Sequence, residues 1–266
     1  MRIKISQLII TSLFFIFIVS SCATSPTGRS QLHLISAEQM DQMGVAAYDD
    51  LKKNTPQSKN EKTKKYVTCV ANAITRKIKF STQWEVTVFE DASVNAFALP
   101  GGKIGVYTGL LNVTENQHQL AAVIAHEVAH VTAEHANARV SAAYATGASL
   151  KLVEVIAGAT TPGKQRLVGL LGVGVQYGVL MPYGRGQESE ADILGLDYMA
   201  MAGFDPRESV LLWRNMSKQG GAQPPEFLST HPANQSRIND LNARMPHALV
   251  IYNAALASGK KPNCKN

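Results

Sequence analysis

Cysteine is scarce in this 266-residue chain: Cys22, Cys69 and Cys264 are the whole supply. At most one pair can close within the chain, so no cysteine framework organises it. Internal repeats, heptads and a phosphate-loop pattern are absent as well. Solenoid, coiled-coil and phosphate-loop readings therefore fall away. Charge of one sign is not in large excess. The net charge is +6, and without Arg2 and Lys4 of the N-terminal leader it is nearer +4, from 24 basic and 20 acidic residues. That is too mild to argue for a nucleic-acid partner. The run Lys52, Lys53, Lys59, Lys62, Lys64 and Lys65 reads as a solvated face. Long apolar runs are missing too. The strongest, 8–19, is short for a permanent membrane span, and 156–178 is Gly-rich and broken by Gln176. The latter reads as a packed helix or a lid over a cleft. Apolar residues make up 45 %, enough for an ordinary core. The length fits one domain of roughly 200 residues with terminal segments.

What is present centres on His126-Glu127-Val-Ala-His130, an HExxH motif with apolar, helix-compatible flanks. Residues four apart share a helix face, so both imidazoles can address one metal ion. Glu127, beside the first, can reach a metal-bound water as general base. The competing reading is a buried helix with two satisfied histidines. A catalytic zinc needs a third protein ligand and keeps one position open. Glu188 is the candidate, and Asp192, four residues on, can hydrogen-bond the far nitrogen of a ligating histidine. Taken alone, Glu188 and Glu190 would read as a solvated acidic helix start. His231 precedes Pro232, which biases its backbone away from helix, and a helix is expected over 233–245. His231 is thus presented from a loop; by spacing alone it would be a surface histidine in a turn.

Five segments in order carry a family resemblance: 95–102 (NAFALPGG), 126–130 with His135 beyond, 188–192 (ESEAD), 203–206 (GFDP), and 230–232 (THP) with Arg237. The chain resembles the HExxH zinc metallopeptidases that include the CAAX prenyl endopeptidase, the mitochondrial inner-membrane stress protease and bacterial periplasmic relatives. The resemblance implies one zinc held by His126, His130 and Glu188, with Glu127 as base and Asp192 and Arg237 supporting the ligands. It implies that His231 either plugs the metal or stabilises the oxyanion. It further implies that a strand over Asn95, Ala96, Phe97 and Ala98 pairs with extended or unfolded polypeptide substrate. The expected fold is α+β, a mainly helical gluzincin-type domain with a small sheet at the cleft. Peptide-bond hydrolysis is the expected activity; a chaperone-like assembly factor on a protease fold is the alternative.

The N-terminus reads as a signal segment, and Val19-Ser-Ser-Cys22 resembles the lipobox of bacterial lipoproteins. Cleavage would leave a lipidated Cys22 and an anchor in the outer membrane, with envelope assembly machinery as a possible partner; an uncleaved anchor is the alternative. In an oxidising compartment Cys69 and Cys264 are expected to pair, the alternative being two free thiols. The expected organisation is leader 1–21, tether 22–36, peptidase domain 37–250 and tail 251–266. Helices are expected over 37–51 and 62–78, strands over 84–89 and 104–108, and one helix from about 114 to 142.

Overall fold

A computed structural model describes residues 22–80, 82–145, 171, 183–218, 226–232 and 235–265. The leader 1–21 and most of the apolar stretch 156–178 lie outside the described residues. Within them, no helix is long and apolar enough to cross a membrane.

The described residues open with a hairpin where a loose tether was expected. β1 (Cys22–Thr24) pairs antiparallel with β2 (Ser30–Leu32) around a turn where Gly28 takes φ 92°. The hairpin docks because its polar groups find buried partners. Gln31 donates to Ala133 O at 2.9 Å, and Leu34 N donates to the Ser141 hydroxyl at 2.8 Å. The Ser, Thr and Gly content that suggested a linker serves the turn instead: Ser25 accepts from Arg29 N at 3.0 Å, Thr27 donates to Glu190, and Gly28 takes the positive φ.

α1 (Ala37–Asn54) begins at Ser36, whose hydroxyl accepts from Gln39 N and whose own amide donates to the Gln39 side-chain oxygen. α2 (Glu61–Thr75) begins at Asn60 and buries the stripe Tyr66, Val67, Val70, Ala71 and Ile74. β3 (Glu85–Phe89), β4 (Ala96–Leu99) and β5 (Lys103–Tyr107) form one sheet in the order β3-β5-β4. β3 runs parallel to β5, and β4 antiparallel, with Ala98 opposite Ile104. The tight β4–β5 turn uses Gly101 and Gly102 at φ 77° and 72°, which an L side chain would resist. Alternation along the strands divides the core. Phe89, Phe97, Leu99 and Tyr107 face α1, while Val88, Ala96, Ala98, Ile104 and Val106 join the larger cluster around the next helix.

That helix, α3 (Gln117–Thr132), is capped by Asn116 and buried from Gln119 to Val131. It has no wet face, so it occupies the centre. β4, α2, α5 (Arg185–Met201) and α6 (Arg207–Lys218) surround it. The expected single helix over 114–142 is two. It breaks after Thr132, Glu134 turns to φ 54°, and α4 (His135–Ala145) sets off separately. After α6, α7 (Glu226–Thr230) leads into His231, and α8 (Gln235–Ala257) packs on α5. α8 outruns the expected end at 245 by continuing through Pro246. Leu241, Ala248 and Ala255 are buried on both sides of the proline, and this packing outweighs the lost backbone bond. Residues 251–266, expected as a tail, are thus part helix. The end is fixed by the Cys69–Cys264 disulfide and by Cys264 N donating to the Gln117 side chain at 2.8 Å.

Candidate metal centre

α3 places His126 and His130 one turn apart on one face, and α5 brings Glu188 against them. The helices meet closely because residue 195 is glycine. A Cβ there would lie 2.9 Å from His126 N and 3.0 Å from its Cα. His231 arrives from the end of α7, its amide bonded to Phe227 O at 2.8 Å. One donor atom each from His126, His130, Glu188 and His231 falls within 4.8 Å of every other, and all four residues are buried. His126 Nε2 is 3.0 Å from His130 Nε2 and 3.3 Å from His231 Nδ1. Glu188 Oε1 is 3.0 Å from His231 Nδ1 and 3.5 Å from His130 Nε2. A tetrahedral ion with bonds of about 2 Å has donor–donor edges of about 3.3 Å, so these residues fit a zinc-sized cation. Donor chemistry agrees: three imidazole nitrogens and a carboxylate aim lone pairs at one small volume, away from water.

Electrostatics prepare the set. Burial and the neighbouring His126 hold His130 well below the usual histidine range, so it stays neutral. Burial disfavours the charge on Glu188, but His231 and His126 outweigh it and keep its carboxyl ionised. Burial also lowers His126, yet Asp192 and Glu188 outweigh it and lift its pKa to about 9. Glu127 behaves oppositely to Glu188. Burial raises its carboxyl pKa, against the pull of His231 and His126. Its Oε1 lies 3.3 Å from His231 Nε2, and it accepts a backbone hydrogen bond from Ala98 of β4.

The residues expected in support lie in contact. Asp192 Oδ1 sits 3.0 Å from His126 Nδ1. Arg237, 2 % exposed, grips both Asp192 oxygens at 2.6 and 2.7 Å and approaches Glu188 Oε2 at 2.7 Å. It also donates to His231 O and Pro232 O at 3.3 Å, so one guanidinium ties the His231 loop to α5. His231 is 1 % exposed and is no surface histidine in a turn. Ala96, Phe97 and Ala98 lie in β4, with Asn95 buried just before it. Cys22 opens β1, and Cys69 joins Cys264.

Other participants are invisible to spacing. Tyr183 stacks 3.9 Å from the His130 ring and 5.2 Å from His231, and Phe227 lies on the other side of His231 at 4.5 Å. Arg139 sits 4.1 Å over the Tyr183 ring. Phe227 sits four residues before His231, one turn back on the short α7, and its carbonyl accepts the His231 amide. Glu190, which alone would read as part of a solvated helix start, is buried and points away from the cluster to His135 and the hairpin.

Residues 58–245 match the model of peptidase family M48. The chain is similar to mitochondrial metalloendopeptidase OMA1 of Saccharomyces cerevisiae, 36 % identical over 178 residues, which are 64 % of this chain and 49 % of the relative. Human mitochondrial metalloendopeptidase OMA1 is 31 % identical over 257 residues, 90 % of this chain and 49 % of its own length. The Beta-barrel assembly-enhancing protease of Escherichia coli is 28 % identical over 226 residues, 82 % of this chain and 46 % of that protein. The chain thus spans about half the length of these curated relatives.

Proposed function

Because this chain belongs to peptidase family M48, we propose that it is a zinc-dependent metalloendopeptidase of the bacterial cell envelope. The observation that carries this reading is the convergence of His126, His130, Glu188 and His231, with Glu127 beside them. One zinc per chain would be held by His126, His130 and Glu188, and it supplies Lewis-acid polarisation of water and of a peptide carbonyl. Glu127 takes the proton of the attacking water and returns it to the leaving amine nitrogen. Its raised pKa suits a group that must both accept and release that proton, and the Ala98 amide holds it in place. Asn95 to Ala98 offers backbone to an extended or unfolded polypeptide, a mode that tolerates many sequences. His231 stands among the donors and bonds Glu188. In this reading it closes the resting site, and it must swing aside before a substrate carbonyl can enter.

The leader 1–21 and the lipobox-like Val19-Ser-Ser-Cys22 support a lipid anchor on Cys22 and the periplasmic face of the outer membrane. Similarity to a beta-barrel assembly-enhancing protease supports unfolded outer-membrane proteins as substrates and envelope assembly machinery as partner. The test is metal content by elemental analysis together with casein cleavage. Wild type should carry one zinc and cleave; Glu127→Gln should keep zinc and lose cleavage. Cleavage by Glu127→Gln at the wild-type rate, or cleavage untouched by chelation, would sink the proposal.

A further inference from the structure

The two histidines of the HExxH motif are anchored in different ways. His126 reaches a carboxylate directly, through Asp192. His130 reaches one through a second imidazole: His130 Nδ1 lies 2.8 Å from His135 Nδ1, and His135 Nε2 lies 3.1 Å from Glu190 Oε2. His135 and Glu190 are both buried. The chain then crosses to the N-terminal hairpin. Arg29 Nε donates to Glu190 Oε2 at 3.0 Å, while the Thr27 hydroxyl and amide donate to Oε1 at 2.7 and 3.2 Å. Arg29 is itself held, donating to the Gln31 side chain at 2.6 Å. The hairpin lies before residue 58, where the family match begins.

The direction of this relay follows from its end. Ionised Glu190 only accepts, so His135 must present Nε2–H to it. The His135 proton is then on Nε2, and its Nδ1 has only a lone pair to offer. His130 must therefore donate Nδ1–H, which leaves its Nε2 bare and aimed at the other donors of the centre. A ligating imidazole needs that tautomer.

We propose that the hairpin is a working part of the metal centre: Arg29 and Thr27 are positioning residues that act on His130 through Glu190 and His135. This rests on the zinc reading above. Removing Arg29 takes the only cation off Glu190 among these partners and leaves it to Ser25, Thr27 and His135, so its grip on the His135 proton, and through it on the His130 tautomer, weakens. Outer partners of this kind are worth about tenfold to a hundredfold in metal affinity.

The test measures zinc affinity of the full chain against a competing chromogenic chelator, and the visible absorption of the cobalt-substituted protein. Arg29→Ala and Thr27→Val should each weaken zinc, Arg29→Ala by about tenfold or more, and should shift the cobalt bands. Glu190→Gln should weaken it further, and adding Arg29→Ala to Glu190→Gln should cost nothing more, because both act on one path. Thermal unfolding of the metal-free variants separates this from mere loosening of the fold. Additive losses in the double variant, or lowered unfolding temperatures with unchanged zinc affinity and cobalt spectrum, would overturn the inference and leave the zinc reading standing. Wild-type protein that binds neither zinc nor cobalt would remove both.

Discussion

At the scale of single residues, identical side chains are separated into roles by burial and partners. Glu188, Glu190 and Glu127 are all buried, yet Glu188 and Glu190 are held ionised and Glu127 is pushed toward its neutral form. For Glu190 burial opposes the charge, but hydrogen bonds from Ser25, Thr27, His135 and Arg29 outweigh it and bring the pKa to about 2. His135 shows the consequence for stability. Burial lowers its pKa to about 4, against the attraction of Glu190, while the unfolded chain keeps the ordinary value of 6.5. Between these values the unfolded state binds more protons than the folded one. Its contribution is therefore complete above pH 6.5 and is lost as pH falls toward 4, by up to about 3 kcal/mol. Urea unfolding of the metal-free protein should show this fall, and His135→Asn should flatten it. A slope unchanged in the variant would assign the acid sensitivity elsewhere.

At the scale of elements, the site depends on how close two helices can come. Gly195 lets α5 lie against the backbone of α3 at His126, which sets where Glu188 arrives seven residues earlier. Gly195→Val must part the helices. It should destabilise the fold by about 1–3 kcal/mol, the usual range for overpacking, and weaken zinc at the same time. Equal zinc affinity in calorimetric titrations of variant and wild type would show that Glu188 follows α3 by some other constraint. Pro246 makes the opposite case. It sits exposed within α8, where it withholds a backbone donor. Pro246→Ala should raise stability by about 1–2 kcal/mol, the restored helix bond offset by a freer unfolded chain. A lowered melting temperature would mean that α8 needs the proline's local bend to lie along α5.

At the scale of the whole molecule, the first and last described segments, from Cys22 and up to Cys264, are both fastened to the body. The first strand reaches Glu190 through its turn, and the last residues are joined to α2 by a disulfide spanning 195 positions. A bridge closing so long a loop restricts the unfolded chain, so Cys69→Ser with Cys264→Ser should cost about 2–4 kcal/mol. Cys264 bonds Gln117 at the start of α3, nine residues before His126, so zinc content should be unchanged. Loss of zinc in the double serine variant would instead couple the C-terminal tail to the metal centre.

The sequence by itself determined the chemistry near to hand along the chain. Four-residue spacing put His126 and His130 on one helix face and Glu188 and Asp192 on another, because a helix turn is local geometry. The caps at Ser36 and Asn60 and the turn at Gly101-Gly102 are local in the same sense. Pattern could not show where α3 stops, because the break at Glu134 depends on α4 carrying His135 back beneath His130. Composition misread the N-terminal hairpin as a linker, since its docking needs a carboxylate more than 150 positions away. Whether His231 faced water or the donor cluster, whether Glu190 was solvated or buried against His135, and that Tyr183 belongs to the site at all were decided by tertiary structure. Each depends on which atoms lie within about 3–5 Å after residues from five helices and an edge strand have packed, and that distance is not a property of any one segment.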